Sequence, residues 1–92
     1  MTVYRLTGAV VYRKIGDETF LVPISKGVGD LNKLYVFDGV GDFAWSLLDG
    51  KRNLDEIVIE VLNRYDIDAG TAKQDLIEFF EKLRQIGAVE LA

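Results

Sequence analysis

The stretch Asp38–Arg52, DGVGDFAWSLLDGKR, decides the fold, because strand-like patterns precede it and helix-like patterns follow it. Asp38 is a favoured N-cap residue, whose carboxylate can accept from the free N–H groups of a first helical turn. After it, apolar residues recur at the spacing of one helix face; they are Val40, Phe43, Ala44, Leu47 and Leu48. Asp49-Gly50 ends this helix, since glycine tolerates the left-handed conformation of a helix C-terminus. Trp45 lies about 100° round from Ala44, which places it at the rim of the core or beside a groove.

Three segments before this stretch are rich in β-branched and aromatic residues, as strands are. They are Ala9–Ile15, Thr19–Ile24 and Lys33–Phe37. The short turn Gly16–Glu18 predicts an antiparallel hairpin, and Ser25–Asn32 has the composition of a loop. In a simple meander the third strand lies at an edge, where its outer N–H and C=O groups lack partners. Met1–Gly8 has a weak pattern and is expected to be partly mobile or to serve self-association.

Two longer helices are predicted after the central stretch. Asn53 and Glu56 have the spacing of a capping box, and Leu54–Tyr65 carries one apolar face. Asp68 is the expected cap of a third helix, Ala69–Gln85. The inner stripe of that helix is predicted to be Ala72, Leu76, Phe80, Leu83 and Ile86.

The order of three strands followed by three helices predicts an α+β fold of winged helix-turn-helix type. Residues 1–92 are expected to form one domain, with the sheet in residues 9–37 and the helical part in residues 38–92. Gly87 ends the third helix, and Ala88–Leu91 could add a short strand. A chain of 92 residues, 49% of them hydrophobic, can bury one modest core.

Charge is distributed unevenly along the chain. Residues 1–37 carry five basic and three acidic side chains, whereas residues 38–92 carry six basic and twelve acidic ones. The acidic half disfavours phosphate backbones, which nucleic-acid binders must neutralise with Lys and Arg. A cationic peptide or a basic patch on a partner enzyme fits better, although the acids could equally serve only to solvate helix surfaces.

The residues offer little for catalysis or metal binding. The chain has no His and no Cys, and neither Ser25 nor Ser46 has a nearby base to activate it. We therefore expect a protein that is not an enzyme and that has no metal and no cofactor. The sequence also shows no signal peptide and no apolar run of the roughly 20 residues that a membrane helix needs, so a cytoplasmic location is the expectation.

A free strand edge beside a helix is the physical basis of β-augmentation, in which an extended peptide adds a strand. On this hypothesis the third strand and one line of the third helix hold the peptide; the residues are Lys33, Leu34, Tyr35, Val36, Phe37, Ala72, Asp75, Phe79 and Lys82. Phe79 would supply an apolar floor, and Asp75 and Lys82 would contact polar or charged peptide side chains. Phe79 could instead be an ordinary core aromatic, and Asp75 a solvated helix residue.

The central stretch also resembles the PqqD-like family, the small RiPP recognition elements that act in the maturation of ribosomally made peptides. FDGVGDFAWSLLDGKR at residues 37–52 is similar to the family pattern L-N-x-x-G-x-x-I-W-x-L-L-D-G-x-R, with Asp38 in place of Asn and Phe37 in place of Leu. Asn53–Leu62 resembles the family's T-x-x-E-I-x-x-x-L helix. Asp75–Leu83 with Gly87-Ala88-Val89 resembles its D-V-x-x-F-L-x-x-L-x-x-x-G-L-L end. The likeness runs from about Val10 to Leu91.

This resemblance implies a peptide-binding chaperone. In the family a leader peptide lies between the third strand and the third helix, and it is presented to a modifying enzyme that is often a radical-SAM enzyme. The namesake product is the cofactor pyrroloquinoline quinone. The implied partners are thus a precursor peptide and a modifying enzyme, with no nucleic acid and no membrane.

Two other functions stay open at this point. The chain could be a winged-helix adaptor that binds a folded protein, or a DNA-binding winged helix that reads DNA with Ala69–Gln85. That helix is nearly neutral and belongs to an acidic half of the chain, which makes it a poor reader of a DNA groove. The sequence leaves both a monomer and a dimer open.

Overall fold

The structure, a computed structural model, describes residues 2–23 and 34–92. These residues form five strands and three helices, which confirms the predicted α+β class. In chain order the elements are β1 (Tyr4–Leu6), β2 (Val10–Ile15), β3 (Glu18–Pro23), β4 (Tyr35–Asp38), α1 (Gly39–Ser46), α2 (Leu54–Arg64), α3 (Ala69–Gln85) and β5 (Val89–Leu91).

Strands β2, β3 and β4 form the predicted antiparallel sheet, in that spatial order. The β2–β3 pairing runs from Val10 opposite Pro23 to Ile15 opposite Glu18. Gly16 stands in the connecting turn at φ +62°, a conformation that costs glycine little. The third predicted strand begins later than expected, at Tyr35 rather than Lys33, and the predicted loop Ser25–Asn32 lies outside the described residues.

The expectation of a partly mobile N-terminus is wrong for β1, which pairs with β5 in a second, two-stranded antiparallel sheet. The Tyr4 hydroxyl donates a 2.8 Å hydrogen bond to Glu81 on α3. Burial and this bond raise the pKa of Tyr4 to about 12. Arg5 forms a 2.7 Å ion pair with Glu90 of β5. The sequence pattern of β1 does not reveal this pairing, because the partner strand is distant along the chain: Glu90 lies 85 residues after Arg5.

Helix α1 starts where the sequence predicts, but its cap differs. Asp38 occupies the N-cap position without a side-chain hydrogen bond to the first turn. It is also the last residue of β4 and pairs with Glu18 across the sheet. The ladder thus holds its backbone extended and leaves its side chain exposed. The helix ends at Ser46, one turn before Gly50.

The predicted caps of α2 and α3 are confirmed. In the capping box of α2, the Glu56 N–H donates to the Asn53 side chain and the Asn53 N–H donates to the Glu56 carboxylate, both at 2.9 Å. The Asp68 carboxylate accepts from the Thr71 N–H at 3.1 Å. Such caps satisfy N–H groups that a helix start leaves without intrahelical partners.

The core lies between the inner face of the three-stranded sheet and the three helices. Four of the five residues of the predicted inner stripe of α3 are buried, namely Ala72, Leu76, Phe80 and Leu83. Ile86, at the end of that stripe, is half-buried. Trp45 is 5% exposed and belongs to the core, where its ring meets those of Tyr12 and Phe37 at centroid distances of 5.2 and 5.6 Å.

Candidate functional site

One edge of strand β4, called the free edge below, has no strand partner among the described residues. The strand pairs with β3 along its other edge. Strand β2 forms the opposite edge of the sheet, but it carries Arg13 and Lys14 in its second half. Charged side chains, lysine above all, discourage a second strand from pairing with an edge. Residues 34–38 contain no Lys or Arg, so β4 is the more accessible edge for strand addition.

Side chains of β4 divide between the two faces of the sheet. Tyr35 and Phe37 are half-buried and pack against the core. Leu34, just before the strand, and Val36 are 56% and 46% exposed. This alternation is the one that the pleat of a strand produces. Lys33, the first residue of the predicted set, lies outside the described residues.

Helix α3 meets the end of β4 through aromatic rings. The rings of Phe37 and Phe79 stand edge to face, with centroids 5.2 Å apart. Gly41 in α1 lies against the same ring, because a Cβ atom at this position would be 3.5 Å from Phe79 Cε1 and Cζ. The absence of a side chain at Gly41 therefore leaves space beside Phe79.

That space is a cavity of about 190 Å³ between α1 and α3. Its lining is mainly apolar, and Asp75 is its one charged residue; the lining consists of Val40, Gly41, Ile67, Ala72, Asp75, Leu76 and Phe79. The structure thus brings together three members of the predicted set, namely Ala72, Asp75 and Phe79. Lys82, three residues beyond Phe79 on α3, is exposed and does not line the cavity.

Phe79 combines the two roles that the sequence left open. It is half-buried and packs against the core cluster, with its ring 5.5 Å from that of Phe80. It also forms part of the cavity wall. Asp75 is exposed, so its carboxylate is available at the cavity rim. Ala72 is 3% exposed and contributes a buried part of the lining.

Sequence reasoning did not assign four of the lining residues to the site, namely Val40, Gly41, Ile67 and Leu76. The sequence pattern places Val40 on the core stripe of α1 and Leu76 on the inner stripe of α3, and Gly41 has no side chain that a pattern could place. Ile67 is the apolar residue between Asp66 and Asp68. An apolar side chain in an otherwise acidic turn was the available signal, since such a residue needs a buried contact.

A buried carboxylate ties α1 to the sheet beneath the site. Asp42 is 7% exposed; it accepts a 2.5 Å hydrogen bond from the Thr19 hydroxyl and forms a 3.0 Å ion pair with Lys14. Burial opposes the charged form, but the hydrogen bonds from Thr19 and Lys14 outweigh it and hold the pKa of Asp42 below its usual value. The contact joins β2, β3 and α1, so it helps to set the position of α1 beside β4.

A larger cavity, of about 540 Å³, adjoins the other side of α1. Its lining is polar and of mixed charge, with Lys14, Asp42 and Arg64 among its members. Lys14 and Asp42 pair with each other, and the Arg64 guanidinium lies 4.8 Å from the centre of the Phe43 ring. Lys14, Asp42 and Arg64 are thus engaged within the chain. Asp75 and Phe79 of the predicted set line the 190 Å³ cavity instead, which makes that cavity the better candidate.

Two further features bear on the kind of site. In the described ranges, no three His, Cys, Asp or Glu residues lie close enough to hold a metal ion. No helix there has both the length and the apolar character needed to cross a membrane.

Comparisons with known proteins bear on the family and the fold. The family model for coenzyme PQQ synthesis protein D (PqqD) matches residues 18–89. No curated protein sequence matches the chain. The solved structure of TbiB1 in complex with the TbiA(beta) leader peptide is 30% identical, with a TM-score of 0.79 over 94% of each chain. A lasso peptide synthetase B1 complexed with its leader peptide has a TM-score of 0.76 over 95% of this chain and 96% of that one; at 11% identity it shows the fold alone. Because the family model covers most of the chain, this protein belongs to the PqqD family.

Proposed function

We propose that this protein binds the leader of a ribosomally synthesised precursor peptide as an added strand on β4 and presents it to a modifying enzyme. The observation that carries this function is the free edge of β4 beside the apolar cavity of α1 and α3. Strand addition satisfies main-chain groups along such an edge, and pockets for alternate side chains provide specificity. The edge and the pocket adjoin each other, because the ring of Phe37 on β4 contacts the ring of Phe79 in the cavity wall.

The proposed peptide places its side chains alternately on two sides. One set faces the helices, where an apolar side chain enters the 190 Å³ cavity and packs on the Phe79 ring. The other set faces away from the helices, on the same side of the sheet as Val36. Net contributions of about 1 kcal/mol for each hydrogen bond, with one or two aromatic anchors, suit a Kd near the micromolar range.

Charge at the rim favours a basic residue in the peptide. Asp75 is exposed at the cavity, and residues 38–92 carry six more acidic than basic side chains. Lys82, two turns after Asp75 on α3, is placed to contact an acidic residue elsewhere in the peptide. An exposed ion pair contributes about 0–1 kcal/mol, so these charges tune selectivity more than affinity.

Two findings from relatives support the proposal. The TbiB1 structure, at 30% identity, is a complex with a leader peptide, and the family is described by its part in coenzyme PQQ synthesis. The partner enzyme is proposed to be a radical-SAM enzyme acting in the synthesis of pyrroloquinoline quinone or of a related peptide product. The role is binding rather than catalysis, and the proposed location is the cytoplasm.

The test is a calorimetric titration with the leader peptide of the precursor encoded beside this gene. In a strand added to β4, only every second peptide N–H faces the sheet. A series of leaders, each with one N-methylated residue, should therefore lose affinity at alternate positions and keep it at the positions between them.

Two results would contradict strand addition. One is no binding of the unmodified leader at concentrations up to several hundred micromolar. The other is an N-methylation series without a two-residue period, which would indicate capture by side chains alone.

A further inference from the structure

One face of the three-stranded sheet carries exposed apolar side chains. We use the term outer face for the side of β2, β3 and β4 that points away from the helices. According to the strand register, eight residues lie on the outer face: Val11, Arg13, Ile15, Glu18, Phe20, Val22, Val36 and Asp38. Leu34, two residues before Val36, continues the same side. Leu21 and Thr19, on the inner face, are 0% and 1% exposed, which distinguishes the two sides.

The outer face is unusually apolar for a solvent-facing surface. Val11 is 58% exposed, Ile15 and Leu34 are each 56% exposed, and Val36 is 46% exposed. Phe20 and Val22 lie between them and are half-buried. Antiparallel sheets with one solvated face ordinarily place polar residues on it, and contiguous exposed apolar patches commonly mark interaction sites.

The size of the outer face argues against a second copy of this chain as its occupant. Three strands and about five residues give a footprint of about 14 by 17 Å. Pleating makes the accessible area larger than this footprint, but doubling it would still fall short of the roughly 800 Å² per partner in a typical stable interface. A face of this size fits a transient contact, which buries less than about 1,200 Å² in total, better than a stable dimer.

A bound peptide strand would widen the outer face by about 5 Å. Arg13, Phe20 and Val36 lie opposite one another across the three strands. A peptide paired with β4 would continue this row, because side chains opposite each other on neighbouring strands share a face. Its outward side chains would then lie next to Val36, so the surface that includes them exists only when the peptide is bound.

We propose that the outer face, extended by the bound peptide, is the docking surface for the enzyme that modifies the peptide. The matching surface on that enzyme is apolar, with a carboxylate placed to meet Arg13, which forms no ion pair with any described residue. This inference rests on the proposed function, since the peptide is part of the surface. It explains how an enzyme distinguishes the loaded carrier from the empty one.

A matched pair of substitutions tests the proposal. Ile15→Lys changes the outer face on β2, the strand farthest from the peptide edge. Ile59→Lys makes the same change on α2, at a residue with the same 56% exposure. The probes are the leader peptide and the purified modifying enzymes encoded in the same gene cluster, with binding measured by calorimetry or biolayer interferometry.

The loaded wild-type protein should bind one of these enzymes at least fivefold more tightly than the empty protein does. Ile15→Lys should weaken that binding at least tenfold and change leader affinity less than twofold. Ile59→Lys should change neither by more than twofold. Circular dichroism and thermal melting of both variants establish that each is folded.

Four outcomes overturn the docking surface while leaving leader binding intact. They are loss of enzyme binding in both variants, loss in neither, no enzyme binding by the loaded wild-type protein, and a wild-type dimer that Ile15→Lys dissociates in sedimentation velocity. The last would make a second copy the occupant. Failure of the leader to bind the wild-type protein would instead remove the proposed function itself.

Discussion

Replacing Phe79 with alanine removes the aromatic wall of the cavity beside β4. The ring touches that of Phe37 on the strand and that of Phe80 in the core, at centroid distances of 5.2 and 5.5 Å. It is half-buried, so part of its surface is available to a bound peptide. We expect the substitution to weaken leader binding and, by an amount that can be measured separately, to lower stability.

The magnitude follows from the surface that the ring offers. A peptide side chain packed on it would bury about 80 Å² of apolar surface over both partners, which at roughly 25 cal/mol per Å² amounts to about 2 kcal/mol. That is about a 30-fold loss of affinity and lies in the range of an interface hot spot. Because Phe79 is only half-buried, its cost in stability should be about 2 kcal/mol, below the 3–5 kcal/mol of a fully buried Phe→Ala change.

Phe43→Ala is the matched control. Phe43 is also half-buried, but its ring faces Tyr65 at 6.0 Å and the Arg64 guanidinium at 4.8 Å, away from the cavity. Calorimetric titration with the leader peptide, together with urea unfolding, separates affinity from stability for both variants. If folded Phe79→Ala binds within threefold of wild type, or if Phe43→Ala loses as much affinity, the assignment of the groove is wrong.

Three further predictions concern the cavity and its support. Gly41→Leu should fill the cavity and reduce leader affinity more than tenfold in a titration. Gly41→Ala should raise helix stability by up to about 1 kcal/mol, which thermal melting would show. Unchanged binding in the leucine variant would contradict the cavity's role. Asp75→Lys should weaken binding of a leader with basic residues about threefold at low salt and by less at high salt, and a salt-independent effect would exclude an ion pair. Asp42→Asn should lower the free energy of unfolding by about 1–2 kcal/mol at pH 7. Folding lowers the pKa of Asp42, so its carboxylate stabilises the fold at pH values above the usual Asp pKa of about 3.9. The difference in unfolding free energy between wild type and variant, measured in urea, should therefore shrink as the pH falls from about 5 to 3. A difference that does not change with pH would contradict the role of this charge.

Local features of the chain were predictable because their causes are local. The capping box of Asn53 and Glu56 depends on residues three apart, and the bounds of α3 follow from Asp68 and from apolar spacing. The alternation of Tyr35, Val36 and Phe37 follows from the pleat of a strand. Ala72, Asp75 and Phe79 could be placed on one helix from their spacing, and the structure brings all three to one cavity.

Other features required the folded chain, because they depend on contacts between residues far apart in sequence. The sequence alone determined three strands and three helices in order, the free-edge hypothesis and the family resemblance. Only the tertiary structure decided that Tyr4–Leu6 pairs with Val89–Leu91, that Asp42 is buried against Thr19 and Lys14, and that Ile67 and Gly41 complete the cavity. Spacing in a sequence specifies which side of one element is apolar, whereas the partner of that side is set by how several elements pack together.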